Sequence, residues 1–194
     1  YLVGVTEQDL DASSLMLPAR LLDVLDSDGT LTTALLAGRP NTGKTNTALL
    51  LRDLYRTRYP DLLCLSNSTE DSGTDTVVTS MHDLMVQLLE NRERPKFVIV
   101  DEGSTHFDSR THRKEVAEQW GPAVKRFSKM GVHCNAVIGH TGKDVHPEHK
   151  RLTNLGVWKD AKDEAGFFDS WPEDSDRPDG RMFGGDLSSL EATE

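Results

Sequence analysis

The sequence predicts one α/β domain built on a doubly wound, mainly parallel sheet with helices on its faces, and three observations predict it. Apolar runs of strand length alternate with stretches whose apolar residues recur at helical spacing. A glycine-bounded loop, Gly38–Thr45, stands between one such run, Thr33–Ala37, and one such stretch, Asn46–Tyr55. A further run, Phe97–Val100, ends on two acids, Asp101 and Glu102. At 194 residues the chain can bury one real core and is short for two, so 1–194 is expected to be a single domain.

Residues 1–12 carry little pattern, whereas Leu15–Leu25 has helical spacing and stops before Asp28-Gly29; the helix starts at Leu15 or at Pro18. Thr32–Ala37 is the first expected strand. A helix over Lys44–Arg58 ends before Tyr59-Pro60, because the residue preceding proline avoids the helical region. Asp61–Ser66 reads as a short strand and Asn67–Asp75 as a polar loop. Ser80 and Asp83 have capping-box spacing ahead of a helix to about Asn91. Lys96–Asp101 is continuously apolar up to its acid, the pattern of a parallel strand buried on both faces. A helical region over Thr111–Met130 is kinked or divided at Gly121-Pro122 and stops at Gly131, before a strand over Val132–Gly139. His140–Thr153 reads as a polar loop. Leu155–Lys159, Ala165–Ser170 and Arg181–Phe183 read as short strands between acidic turns, with Glu173–Gly180 a mobile loop and Leu187–Glu194 a fraying end. The core thus spans about 32–153, and 154–194 adds C-terminal strands and acidic loops.

Gly38, Pro40, Asn41, Thr42, Gly43, Lys44, Thr45 and Asn46 have the residue types and order of the phosphate-binding P-loop. Glycines let successive backbone N–H groups turn inward, and the start of the following helix adds unpaired donors and its positive dipole end. Lys44 is expected to reach the β- and γ-phosphates of ATP and the Thr45 hydroxyl to ligate Mg²⁺. Asp101 supplies the second half: a carboxylate at the end of a buried strand is costly unless a cation meets it, and Mg²⁺ held through water is the economical answer. Glu102 then decides the reaction class, because a second acid at the edge of the site can orient or deprotonate a water attacking the γ-phosphate.

The formal net charge is −10, with Asp outnumbering Glu and Arg outnumbering Lys. Such a surface repels phosphate, so a nucleic-acid partner requires either a local basic patch or salt that screens charge within about 3 Å at molar concentration. The composition is similar to that of halophilic archaeal proteins. With no run of eighteen apolar residues and no basic-then-apolar start, the expectation is a soluble cytoplasmic protein without a membrane span. Cys64 and Cys134 read as small core residues in a reducing compartment. Gly142-Lys143-Asp144 lacks the Asn of a guanine-reading motif, and His140, His146 and His149 have no metal-like pairing on an expected helix.

Gly38–Thr45, Phe97–Glu102 and Ala136–Thr141 together resemble the additional-strand, catalytic-glutamate P-loop NTPases, and within them the HerA/FtsK-like DNA-pumping ATPases. The look is similar to the genome-packaging ATPases of tailless membrane-containing viruses and their relatives in archaeal genomes. The resemblance covers about Thr32–Thr153. It implies a RecA-like sheet in which the strand over 132–139 lies between the two Walker strands and points its end at the γ-phosphate. His140 or Thr141 would be the sensor there, where the family commonly has a polar amide. It also implies a homo-oligomeric ring acting on double-stranded DNA, with localisation at a packaging vertex of a virion if the owner is viral. One arginine among Arg110, Arg113, Arg126 and Arg151 would reach a neighbour's nucleotide. Each lies in or beside a basic cluster (Arg110–Lys114, Lys125–Lys129, Lys143–Arg151) that is otherwise an ordinary solvated face. Two rivals stay open: a nucleotide-dependent switch or assembly factor without turnover, and a small-molecule kinase, for which no clear lid insertion is present.

Overall fold

The computed structural model describes residues 17–25, 31–68, 73–101, 113–143 and 145–187. Its first element is helix α1 (Leu17–Leu25), followed by strand β1 (Thr32–Gly38) and helix α2 (Lys44–Arg58). Strands β2 (Leu63–Ser66) and β3 (Thr76–Val77) precede helix α3 (Met81–Glu90), strand β4 (Lys96–Asp101) and helix α4 (Arg113–Phe127). A 3-10 turn, Ser128–Met130, leads into β5 (Val132–Ile138), helix α5 (Pro147–Leu152) and the strands β6 (Leu155–Ala161), β7 (Glu164–Ser170) and β8 (Asp179–Asp186).

The eight strands of the described residues form one sheet in the order β3-β2-β4-β5-β1-β6-β7-β8. Pairing is parallel from β3 to β6, whereas β7 and β8 are antiparallel additions. β5 therefore lies between β4 and β1, the place the resemblance assigned to it. Alternation of side chains divides the core in two. Ala34, Leu36, Phe97, Ile99, Ala136 and Val157 face α1 and α2, while Leu35, Ala37, Val98, Val100 and Val137 face α3 and α4. Burying each such Leu, Ile or Val side chain contributes about 1.5–3 kcal/mol.

Local chemistry sets the helix ends. Ser80 Oγ accepts from the Asp83 N–H at 3.1 Å, and the Asp83 carboxylate returns a bond to the Thr79 N–H at 2.9 Å, so the cap expected from the spacing forms with its return bond one residue upstream. α2 stops at Tyr59 ahead of Pro60. Tyr55 on α2 donates to Thr32 Oγ1 at 3.0 Å, which ties that helix to the start of β1.

Three expectations need correction. Of the two outcomes expected at Gly121-Pro122, the division does not occur: α4 runs through as one helix, because Trp120, Ala123, Val124 and Phe127 on one face gain more by burial than the roughly 3 kcal/mol an internal proline costs. A Cβ on Gly121 would meet the Glu148 carboxylate of α5, a flexible side-chain end that would have to move aside. The expected polar loop 140–153 contains α5, started by Pro147 and capped by the His146 ring, whose Nδ1 accepts from the Glu148 N–H at 3.2 Å. β3, which the sequence reading did not assign, joins β2 directly after the stretch read as loop, held by Val78 N–H donating to Ser66 O at 2.8 Å. Residues 173–180, expected to be mobile, are folded onto the body: Lys150 Nζ and Trp171 Nε1 both donate to Ser175 O, at 2.7 and 3.2 Å. Cys64 and Cys134 are buried and unbonded to each other, as read from the sequence.

Candidate functional site

All seven residues of β1 are buried, so the strand delivers its last residue, Gly38, to the sheet edge in a fixed place. Gly38 has φ 147°, and the Lys159 backbone of β6 lies where its Cβ would be, with Lys159 N and C both 2.8 Å away. Only glycine fits that approach. The chain then turns over itself: Arg39 N–H donates to Lys159 O at 3.1 Å, Thr42 Oγ1 donates to Arg39 O at 2.8 Å, and Lys44 Nζ donates to the same carbonyl at 3.0 Å. Asn41 and Gly43 are left-handed, with φ of 58° and 73°. Gly43 is the N-cap of α2 and offers no side-chain cap, and the first turn carries no acid. Among the described residues no acceptor meets the N–H groups of Gly43, Lys44, Thr45 and Asn46. The loop is therefore a concave set of unspent donors at a helix start, which is what a polyphosphate requires.

Register aligns the other half of the site. Leu36 of β1 and Asp101 of β4 both stand opposite Ile138 of β5, and Gly139 N–H donates to Leu36 O at 2.9 Å. The carboxyl ends of β1, β5 and β4 thus meet at one edge. Burial pushes the Lys44 ammonium below its usual pKa, and the Asp101 carboxylate opposes that shift, so the two side chains lie within electrostatic reach. Asp101 is half-buried, as is Thr45, whereas Pro40, Asn41 and Asn46 are exposed.

Thr45 and Asp101 are oxygen donors of the kind a hard divalent cation takes. Among the described residues no group of three or more His, Cys, Asp or Glu side chains stands ready to hold a metal by itself. Two protein oxygens suit a Mg²⁺ ion that keeps waters and takes phosphate oxygens for its remaining ligands. The residues present therefore fit Mg²⁺-nucleotide.

Beyond β5, His140 is exposed and Thr141 half-buried. Glu102 and Arg110 lie outside the described residues, and of Arg113 only the backbone is described. Arg126 is exposed beside Lys125 at the end of α4. Arg151 is held to Glu148, with Nε donating at 2.8 Å and NH2 at 2.5 Å, a pair that lowers the Glu148 pKa and raises that of Arg151.

Sequence reading missed two parts of this edge. Asn67, taken as the start of a polar loop, is fully buried; its Oδ1 accepts from the Asp101 N–H at 2.7 Å and its Nδ2 donates to Asp101 O at 2.9 Å. Both peptides flanking Asp101 are thereby fixed. An amide side chain directly after an apolar strand was the available signal. His149, read as polar surface, packs instead on Trp120 with ring centroids 5.3 Å apart, and burial lowers its pKa to about 4.

No protein-family model matches the chain. Over 121 residues it is 30% identical to Replication factor C subunit 5 of Arabidopsis thaliana, a stretch covering 60% of this chain and 32% of that protein. The chain thus spans about a third of the curated relative's length. Among solved structures, the ATPase domain of G40P superposes with a TM-score of 0.50 over 91% of this chain and 95% of that one, at 10% identity. The chain has a P-loop NTPase fold. The N-terminal domain of zonular occludens toxin from Neisseria meningitidis also aligns, at TM-score 0.49 and 15% identity over 75% of this chain and 87% of that one. In the P-loop NTPase fold the donor loop, Lys44 and Asp101 occupy the edge described above, and no helix among the described residues is long and apolar enough to cross a membrane.

Proposed function

We propose that this protein binds Mg²⁺-ATP at residues 38–46, hydrolyses it, and acts as an oligomeric motor on double-stranded DNA. The observation that carries the nucleotide reading is the ring of unspent amides at Gly43–Asn46 beside a lysine that faces a strand-end carboxylate. In this reading the amides and Lys44 bind the β- and γ-phosphates. Thr45 and Asp101 hold Mg²⁺, which when bound supplies positive charge to the phosphate oxygens. Glu102 takes a proton from the attacking water, and His140 or Thr141 orients the γ-phosphate. One of Arg110, Arg113, Arg126 and Arg151 serves the neighbouring subunit of a ring.

The hydrolysis claim rests on residue chemistry. The DNA and ring claims rest on the resemblance of Gly38–Thr45, Phe97–Glu102 and Ala136–Thr141 to HerA/FtsK-like packaging ATPases, and on a relative named as a replication factor. The Asp-rich composition favours a halophilic owner, in which salt screens repulsion between an acidic body and DNA.

The test is phosphate release from Mg²⁺-ATP with and without double-stranded DNA, from tenths molar to several molar salt. The expected result is hydrolysis that DNA stimulates and that survives high salt. Hydrolysis indifferent to DNA at every salt would move the reading to an assembly factor. Tight ATP binding with no release would make the protein a switch, and release only with an added acceptor would make it a kinase.

A further inference from the structure

The C-terminal hairpin does more than widen the sheet. Ser170 and Asp179 pair across the end of β7 and β8, at the level where β6 begins, so the eight residues 171–178 leave and rejoin the hairpin at the edge away from the phosphate loop. Between those points the segment climbs the sheet face beside α5. Trp171 is buried in the α4-side core with Val145. Ser175 O takes the Lys150 ammonium and the Trp171 indole N–H, and the Arg177 guanidinium lies 4.5 Å from the centre of the Trp158 ring. Its tip then reaches the loop after β5: the backbone carbonyl of Asp176 lies where a Cβ on Gly142 would stand. An exposed pair, Lys143 Nζ to Asp176 Oδ2 at 3.8 Å, covers the same contact.

Backbone against backbone at Gly142 leaves no side chain to give way, so the position of 142 is set by 176 and not by its own loop alone. The two residues immediately upstream are Thr141 and His140. A segment that belongs to the C-terminal addition therefore fixes the loop by which the nucleotide core, ending near Thr153, would sense the γ-phosphate. We propose that residues 171–178 form a strap that positions His140 and Thr141 for turnover, with Gly142 and Lys150 as positioning residues. This proposal rests on the nucleotide reading above. It adds that the hydrolytic step, and not nucleotide binding, depends on the hairpin.

The experiment is a comparison of Gly142→Ala, Lys150→Met and Lys150→Arg with the parent protein, measuring Mg²⁺-ATP affinity, steady-state phosphate release and unfolding midpoint, with and without double-stranded DNA. ATP affinity within twofold of the parent, turnover reduced about tenfold or more in Gly142→Ala and Lys150→Met, and recovery in Lys150→Arg are expected. Where Gly142→Ala does not fold, the two Lys150 variants decide. Turnover within twofold of the parent in folded variants overturns the strap, as does loss of affinity in step with loss of turnover. A parent that binds ATP without turning it over also overturns the strap's role and leaves the nucleotide site standing. A parent that binds no Mg²⁺-ATP overturns the nucleotide reading itself.

Discussion

The phosphate-loop edge and the 171–178 strap use the same polar groups in opposite ways. At Gly43–Asn46 the amides point at no acceptor in the described protein, whereas at Ser175 one carbonyl takes two donors and the hydroxyl bridges to Arg177 O at 2.7 Å. Leaving donors unspent costs stability, and a chain tolerates it where a ligand repays the cost. Spending every group inward gives shape and no chemistry. Asp176 of the strap abuts Gly142 in the loop after β5, and β5 lies beside β1, so a region whose groups are spent borders the sheet edge that carries the unspent ones.

Breaking the open half should have the largest effects. Glu102→Gln is expected to keep ATP binding and reduce phosphate release about 10²–10⁴-fold, the usual range for a general base. In the companion Lys44→Ala, loss of a charge-assisted contact worth roughly 1.5–3 kcal/mol should weaken ATP affinity about tenfold to a hundredfold by titration. Near wild-type release from Glu102→Gln removes that residue from the mechanism; unchanged affinity in Lys44→Ala removes the phosphates from this loop.

Asn67 sits between the two styles, since it spends itself inward in order to hold a site residue. Asn67→Ala removes the amide's bonds to the Asp101 N–H and C=O, and at about 0.5–1.5 kcal/mol for each lost bond the unfolding midpoint in denaturant should fall. A midpoint equal to the parent's would mean that water replaces the amide at no cost.

The inward-spent region carries its own pH signature through His149. Its folded pKa, about 4, lies below the ordinary 6.5, so protons bind the unfolded chain better. Stability is full above pH 6.5 and is lost as pH falls from there toward 4. Given the size of the shift, the loss approaches roughly 3 kcal/mol at the acid end. His149→Phe should flatten that part of the stability profile; an unaltered slope would assign the acid sensitivity to other groups. Smallest of all, Lys143→Ala removes only an exposed ion pair and should change stability by less than about 0.5 kcal/mol. A larger loss would shift the strap's anchorage from Lys150 to the surface pair.

The same contrast explains what could be read in the sequence. Gly38–Thr45 and Phe97–Asp101 were legible because a phosphate-binding motif restricts residue types at fixed spacing, and the place of β5 between β4 and β1 followed from them by resemblance. Asn67 and the strap were not. Their roles depend on partners 34 and 25 residues distant, Asp101 and Lys150 to Ser175, and nothing local marks an asparagine or a serine carbonyl as spoken for. α5 was hidden for a related reason: six residues rich in charge gave no apolar period, and only tertiary burial of His149 and Lys150 makes them a helix.

The place of β1 in the sheet also governs how the chain is made. Thr32 pairs with Cys134 and Ala34 with Leu155, so neither neighbour of the phosphate-loop strand is synthesised until about a hundred residues after it. During that interval β1, all seven of whose residues are buried in the finished fold, is an apolar segment without a ladder partner. A nascent chain halted anywhere before Val132 would present the glycine-bounded loop on a strand with no ladder to join.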